Sequence, residues 1–482
     1  MTFSDLLVIL PLVVLVVWGV LLLLVDLWVP KERKGITALL AAGGLLAALG
    51  AVTASIGQPP QMAFNDTVVV DGFALFLDVI FLVSGLLGVA LAYRYLQRMN
   101  IERGEYYSLL LFTIAGMLLM TYAYDLILVF LALELLSIPL YLLAGFVRLR
   151  QDSEEAALKY FLLGSFSSGF VLYGIALIFG ATAHTDLPGV VAAVAAGEIF
   201  NPALFVAGAA LLLVGFAFKS AIVPFHMWTP DVYHGAPSPV TAFMSVGAKA
   251  AGFAALMRVF VVAFPSLATD LTPVLWGLAA LTMVVGNVLA LAQNNIKRLL
   301  AYSSIAHSGY LLMAFVPYGQ GQVLSDSIAA MLFYLVAYSL ATLGAWAVVI
   351  TLEQSEGRGL TINSYAGLAR RHPLMALSMA VFMLSFTGVP LTLGFWGKLY
   401  LFRTAIEGGF TGLAVIGLLA SIVSAYYYLR VIVVMYFQPG EPEASPDRWV
   451  SLTAAATALG VVLISFVPGV LLNLALQAVM RM

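Results

Sequence analysis

The chain has 482 residues, 62% of them hydrophobic and only 10% charged, and its mean hydropathy is +1.04. A water-soluble domain of this length would need far more polar surface, so the composition points to an integral membrane protein. A net charge of −2 supplies no basic field for nucleic acid, and zero Cys excludes thiolate-bound zinc, thiolate-bound iron–sulfur clusters and disulfides within the chain.

The first thirty residues, MTFSDLLVILPLVVLVVWGVLLLLVDLWVP, lack a basic leader and an A-x-A site, and their apolar run is too long for a secretory signal. They read as a first span. A bilayer core of about 30 Å requires about 20 apolar residues per helix. On that rule the chain is all-α and holds about fourteen transmembrane helices. They cover 4–28, 36–57, 72–94, 107–123, 125–147, 157–182, 203–223, 238–264, 272–293, 299–317, 328–352, 374–400, 411–436 and 449–476. The fourth and fifth nearly touch and require a tight turn. The connections at 57–71 and 183–202 are the longest on their side, and TVVV in the first predicts a short hairpin.

Basic residues orient the spans. Lys31, Arg33, Lys34, Arg94, Arg98, Arg103, Arg148, Arg150, Lys297, Arg298, Arg358, Arg370, Arg371 and Arg448 fall in odd-numbered loops. Little beyond Arg258 and Arg403 falls on the other side. The odd loops are therefore expected in the cytoplasm, with both termini on the outer side of the membrane.

Spans seven and twelve are interrupted, the one at Pro224 and the other at Gly388 and Pro390. They lie five spans apart. Spans five and ten, also five apart, carry Glu134 and His307. Two five-helix units of inverted topology are expected. The organisation is then residues 1–106 as three leading helices, 107–264 as the first repeat, 265–440 as the second and 441–482 as a closing helix. Broken helices in inverted repeats mark transporters.

Few ionisable groups lie at membrane depth: Glu134, Lys219, Lys249, His307 and Lys398, with His226, Lys159 and Asp78 less deeply placed. A charge at the bilayer centre costs roughly 2.5–3.5 kcal/mol on insertion scales and is functional by default. No metal-binding spacing and no phosphate loop accompanies them. What remains is a row of acids and bases suited to moving protons. Lysine in water holds its proton too tightly, and desolvation loosens it. A nearby ionised carboxylate tightens it again, so Glu134 near Lys219 would be a control. Pro224 and Pro139 free the carbonyls of Ser220 and Leu135, next to Lys219 and Glu134, and water is expected to enter there.

Plainer readings stand beside these. Lys219 or Lys249 would be structural if paired permanently with Glu134 or Asp78. His307, within SSIAHSGY, would be structural if it only bonded serines. His226 sits near the cytoplasmic mouth, and Lys159 is expected to snorkel to the interface. Asp26 and Asp78 read as helix-end or packing residues.

The segments FKSAIVPFHMWTPDVYHGAPSPVTAFMSVGAKAAGFA, LALELLSIPLYLL and NNIKRLLAYSSIAHSGYLL together resemble the antiporter-like membrane subunits of respiratory complex I. Multi-subunit sodium/proton antiporters and membrane-bound hydrogenases have related subunits. Within the family, Lys398 in PLTLGFWGKLYLF resembles one branch, where a second usually has Glu. A third would add a long lateral helix, and none is expected before Met482. The resemblance implies proton translocation through Glu134, Lys219, Lys249, His307 and Lys398, driven by quinone reduction elsewhere. It implies no cofactor in this chain, with flavin, iron–sulfur clusters and the quinone site in other subunits. The implied neighbours are subunits K and J on one side and subunit M on the other, within a lipid bilayer. The alternatives are a sodium/proton antiporter subunit and a passive scaffold.

Overall fold

A computed structural model describes residues 3–30, 33–148, 150–354 and 357–480. Lys31 and Met482, used above for orientation and for the chain end, lie outside the described residues. Helix α1 (Phe3–Val8) leads into α2 (Leu10–Asp26), α3 (Gly35–Ser55) follows, and the predicted hairpin forms from β1 (Gln61–Ala63) and β2 (Val68–Val70). These two strands pair antiparallel, Met62 opposite Val69.

Next come α4 (Gly72–Arg98), α5 (Glu105–Tyr122), α6 (Leu126–Ala144) and α7 (Gln151–Thr182). The turn between α5 and α6 is tight because the Asp125 carboxylate immediately caps α6, accepting from Ile127 N at 2.8 Å. The connection at 183–202 is not plain loop. It holds α8 (Leu187–Ala196), started by the Asp186 cap and ended at Gly197, whose φ is +71°.

The seventh predicted span divides into α9 (Pro202–Lys219) and α10 (Trp228–Gly235), followed by α11 (Ser238–Ala263). Then come α12 (Ala268–Leu291), α13 (Ile296–Phe315), α14 (Gly321–Leu352) and a short α15 (Leu368–Arg371). The twelfth span divides into α16 (Pro373–Thr387) and α17 (Leu393–Glu407). Helices α18 (Thr411–Phe437), α19 (Arg448–Ser465) and α20 (Pro468–Gln477) complete the chain.

Among the described residues, eleven helices are long and apolar enough to cross a membrane. The other three predicted spans coincide with α2, with α13 and with the α16–α17 pair. Helix α13 is more polar because it carries Lys297, Arg298, His307 and serines at 303, 304 and 308. Two of the spanning helices are central. The apolar stretch of α11 is 94% buried and that of α14 89%, against 39% for α3, α7 and α12. The outer helices turn Leu, Val and Phe outward, as lipid contact requires.

Three expectations change. Pro139 does not break its helix: α6 runs through it unbroken, losing one backbone hydrogen bond. Lys297 is not a loop charge. Asn295 caps α13 just before it, and its fully buried ammonium turns inward to the Ala236 carbonyl at 2.8 Å. Arg258 is no surface charge either. Its guanidinium grips Asp71 through two bonds of 2.6 and 2.8 Å and reaches the Thr121 carbonyl at 2.8 Å, tying α11 to α4 and α5. Asp78, about two turns along the same face of α4, is fully buried and accepts from Tyr122 (2.6 Å) and Thr121 (3.0 Å), which fits its packing role.

Removing one partner of a buried bidentate pair strands the other. Arg258→Ala is therefore expected to destabilise the fold by about 3–5 kcal/mol, read as a lower melting temperature of the detergent-solubilised protein. An unchanged melting temperature would refute the staple.

Candidate proton-transfer row

Lys219 is the last residue of α9 and is 4% exposed. Its ammonium donates to Ser137 Oγ at 2.7 Å and lies 5.5 Å from the Tyr160 ring centroid. Ser137 in turn donates to the Leu133 carbonyl. Glu134 stands one turn before Ser137 on α6, and its Oε1 is buried without a hydrogen-bond partner. The two groups feel each other's charge without forming an ion pair.

Lys249, 2% exposed on α11, donates to the Ser304 carbonyl and, at 2.6 Å, to Ser304 Oγ. Tyr338 donates to the same Oγ at 2.8 Å, and Lys249 lies 5.3 Å from its ring centroid. His307 sits between two tyrosines, Nδ1 2.5 Å from Tyr334 OH and Nε2 3.2 Å from Tyr428 OH. A neutral imidazole has one N–H and one lone pair, so it gives to one tyrosine and accepts from the other. The flanking serines are engaged elsewhere, so His307 is not a serine-bonded structural histidine. Ser303 bonds Tyr428, Ser304 serves Lys249, and Ser308 donates to the Ser220 carbonyl at 2.6 Å.

Lys398, 4% exposed on α17, donates to Ser421 Oγ at 2.7 Å and to the Thr387 carbonyl at 3.0 Å. It sits over Tyr310, 4.7 Å from the centroid, and Tyr310 meets the His307 ring edge-on at 5.8 Å. Each of the three lysines is thus held over a tyrosine face.

The breaks are built by these contacts. At the first, the carbonyl freed by Pro224 belongs to Ser220 and is covered by Ser308; Val223 N donates to Thr282 Oγ1 at 3.0 Å. A neighbouring helix, rather than water, satisfies that carbonyl. At the second, Gly388 takes φ +88° and Leu391 +72°, ending α16 ahead of Pro390. The Thr387 carbonyl left there accepts from both Lys398 and Ser421.

Two predicted groups stand outside the row. Lys159 lies at the edge of the bundle, paired with Glu155 at 2.5 Å and Asp231 at 2.6 Å, as snorkelling implies. His226 lies half-buried in the break between α9 and α10, and its Nδ1 is without a hydrogen-bond partner among the described residues. The hydroxyl partners, Ser137, Ser304, Tyr334, Tyr428 and Ser421, carried no signal in the sequence. Tyrosines and serines are common in membrane helices, and only the fold brings these to the charges.

Among the described residues none of Glu134, Lys219, Lys249, His307 and Lys398 forms an ion pair. No group of three metal-ligating side chains occurs among them. The arrangement brings buried acids and bases together with hydroxyl partners, and the chain as a whole resembles known membrane subunits. Residues 123–424 match the family described as NADH:quinone oxidoreductase/Mrp antiporter, transmembrane. NADH-quinone oxidoreductase subunit N of Trichlorobacter lovleyi is 48% identical over 98% of this chain and 96% of its own. The chain belongs to the subunit N family of NADH-quinone oxidoreductase.

Subunit N of Chloroflexus aggregans is 46% identical, over 96% of this chain and 95% of its own. A chain of respiratory complex I from Thermus thermophilus superposes with a TM-score of 0.83 at 38% identity, covering 97% of this chain and 99% of that one. A chain of the Mrp complex from Dietzia sp. superposes with a TM-score of 0.86 at 21% identity, over 99% and 97%, a likeness of fold. Subunit N membership accords with a chain of buried helices, two of them broken.

Tyr334→Phe leaves one nitrogen of His307 without its partner. A buried polar atom so orphaned costs about 1–3 kcal/mol, so the variant is expected to melt at a lower temperature than the parent. Equal melting would mean that the 2.5 Å contact contributes nothing to the site.

Proposed function

We propose that this chain is the proton-translocating subunit of a bacterial NADH-quinone oxidoreductase, a translocase whose redox steps occur in other subunits. The observation that carries the proposal is the row itself. The half-buried Glu134 and the buried Lys219, Lys249, His307 and Lys398 follow one another through α6, α9, α11, α13 and α17, each held by hydroxyl or carbonyl oxygens or with an oxygen left without a partner. A fixed ion pair would trap a proton; a hydroxyl passes it on.

Glu134 supplies the control. Its free oxygen lies one turn from the serine that Lys219 holds. As an ionised Glu134 approaches, Lys219 keeps its proton; as it withdraws, the desolvated ammonium releases it toward Ser308 and Lys249. Quinone reduction elsewhere in the complex sets that distance. The neighbours of this chain are subunits K and J on one side and subunit M on the other. The chain crosses the inner membrane with both termini on the periplasmic side.

The inverted five-helix repeat, with units 107–264 and 265–440, is supported by matched close approaches. Gly116 of α5 lies against the backbone of Leu136, beside Ser137. Gly286 of α12 lies against the backbone of Ala306, beside His307. In each unit the first helix uses a glycine to press against the second where that helix carries its ionisable group.

The test uses Lys219→Ala and Lys219→Arg in the assembled complex. Both are expected to lower quinone reduction and proton translocation at least tenfold. Arginine keeps the charge but does not release its proton. Full activity in Lys219→Arg would assign the lysine a structural role. Loss of parental activity in sodium-free buffer would favour sodium/proton exchange instead.

A further inference from the structure

Glu353 lies immediately after α14 and is fully buried. Neither of its carboxylate oxygens has a hydrogen-bond partner among the described residues. Its nearest cation is Lys297, also fully buried, at 3.9 Å. That separation is too long for a hydrogen bond and suits one bridging water. A pair that served only to pin α14 to α13 would close to contact and satisfy its oxygens. A buried carboxylate without a close hydrogen-bond partner calls for water or neighbouring hydroxyls.

Several polar groups stand near it. Tyr95 of α4 faces the carboxylate and touches the Ser238 backbone. Tyr365 approaches from the 3-10 turn Ile362–Tyr365. Arg150, Asp152 and His234 face Lys297 from the edge of the bundle. The hydroxyls of Tyr95, Ser238 and Tyr365 and Nδ1 of His234 are buried and unpartnered.

Two helices lead inward from this cluster. On α11, Ser238, Ser245 and Lys249 fall at i, i+7 and i+11, which is one helical face. On α13, Lys297, Ser304 and Ser308 repeat the same spacing. The i+4 position is the small residue alanine on both, Ala242 and Ala301. The stripes run about 10–16 Å along the helices and converge where Lys249 bonds Ser304.

We propose that Glu353, with Lys297, loads protons onto Lys249 from the face of the membrane where α14 ends. This rests on the reading of the row as a proton path and adds its point of uptake. The carboxylate takes a proton from bulk water and becomes the acid. It passes that proton along the Ser238–Ser245 stripe to a neutral Lys249, which becomes the ammonium, and Glu353 returns to the carboxylate. No electron moves.

The test is the assembled complex in vesicles carrying Glu353→Gln or Ser245→Ala. The Ser245 hydroxyl bonds only the Ala242 carbonyl of its own helix, so its removal strands no partner and leaves the fold intact. Proton translocation is expected to fall at least tenfold in Glu353→Gln and several-fold in Ser245→Ala. Both losses should deepen as the pH on the uptake face rises from 6 to 8, because a damaged loading path depends on proton supply. Losses equal at all pH values would mark a structural role and overturn the proposal. Parental pumping in both variants, while Lys219→Ala abolishes it, would also overturn the proposal and leave the row standing. Parental pumping in all three would remove the row as well.

Discussion

Hydrocarbon does not satisfy a carbonyl oxygen, so a helix broken within a membrane must find donors from its neighbours. The rest of this molecule is arranged around two such breaks. Ser220 and Thr387 carry the exposed carbonyls, and the donors are Ser308, Lys398 and Ser421. The groups that close the breaks are therefore members of the row or stand next to them. Backbone satisfaction and proton chemistry use the same side chains. At the second break the freed carbonyl is itself a ligand of the lysine, Lys398 donating to Thr387, whereas at the first Lys219 turns to Ser137 of a neighbouring helix.

The same constraint explains the hydroxyls between the charges. In a low-dielectric interior, opposite charges in contact attract strongly, and one leaving would strand the other. The bundle uses such pairs where nothing is to move: Arg258 with Asp71 is bidentate and closed. Along the row it avoids them. Lys219 is bound by a serine, Lys249 by a serine and its carbonyl, His307 by two tyrosines, and Lys398 by a serine and a carbonyl. Neutral oxygens hold each of these lysines without a counter-charge in contact. The tyrosine faces beneath the three lysines add cation–π attraction that does not compete for the proton.

Much of this was legible in the sequence because charge is conspicuous in an apolar run. Glu134, Lys219, Lys249, His307 and Lys398 stood out by composition, and Pro224 and Pro390 marked the breaks. Their partners were not legible. Tyr428 lies 121 residues from His307, and Ser137 lies 82 from Lys219. Both look like ordinary membrane residues until the fold apposes them. Lys297 misled for the opposite reason. Hydropathy ends a span at its first charges, whereas the Asn295 cap begins the helix before them and turns the lysine inward. Arg258 was misassigned in the same way, because its partner Asp71 lies 187 residues away. The Ser220 carbonyl was expected to draw water, and the competing donor was Ser308, four helices onward on α13.

Small residues place the row as firmly as the charges do. A Cβ on Gly116 would meet the Leu136 nitrogen at 2.3 Å, and one on Gly286 would meet the Ala306 nitrogen at 2.6 Å. These are backbone contacts that no side-chain rotation relieves. They bring α6 and α13 close to their partners at the heights of Ser137 and His307, so the ionisable groups project into the bundle rather than toward lipid. Lys398 is confined similarly, since a Cβ on Gly388 would meet its Cδ at 3.0 Å. In an interior this closely packed, hydroxyl-to-amine distances are set by backbone approach and change little with side-chain motion. A residue left half-buried, as Glu134 is on α6, is then the one member with room to shift. That freedom suits the group through which a neighbouring subunit would act on the row.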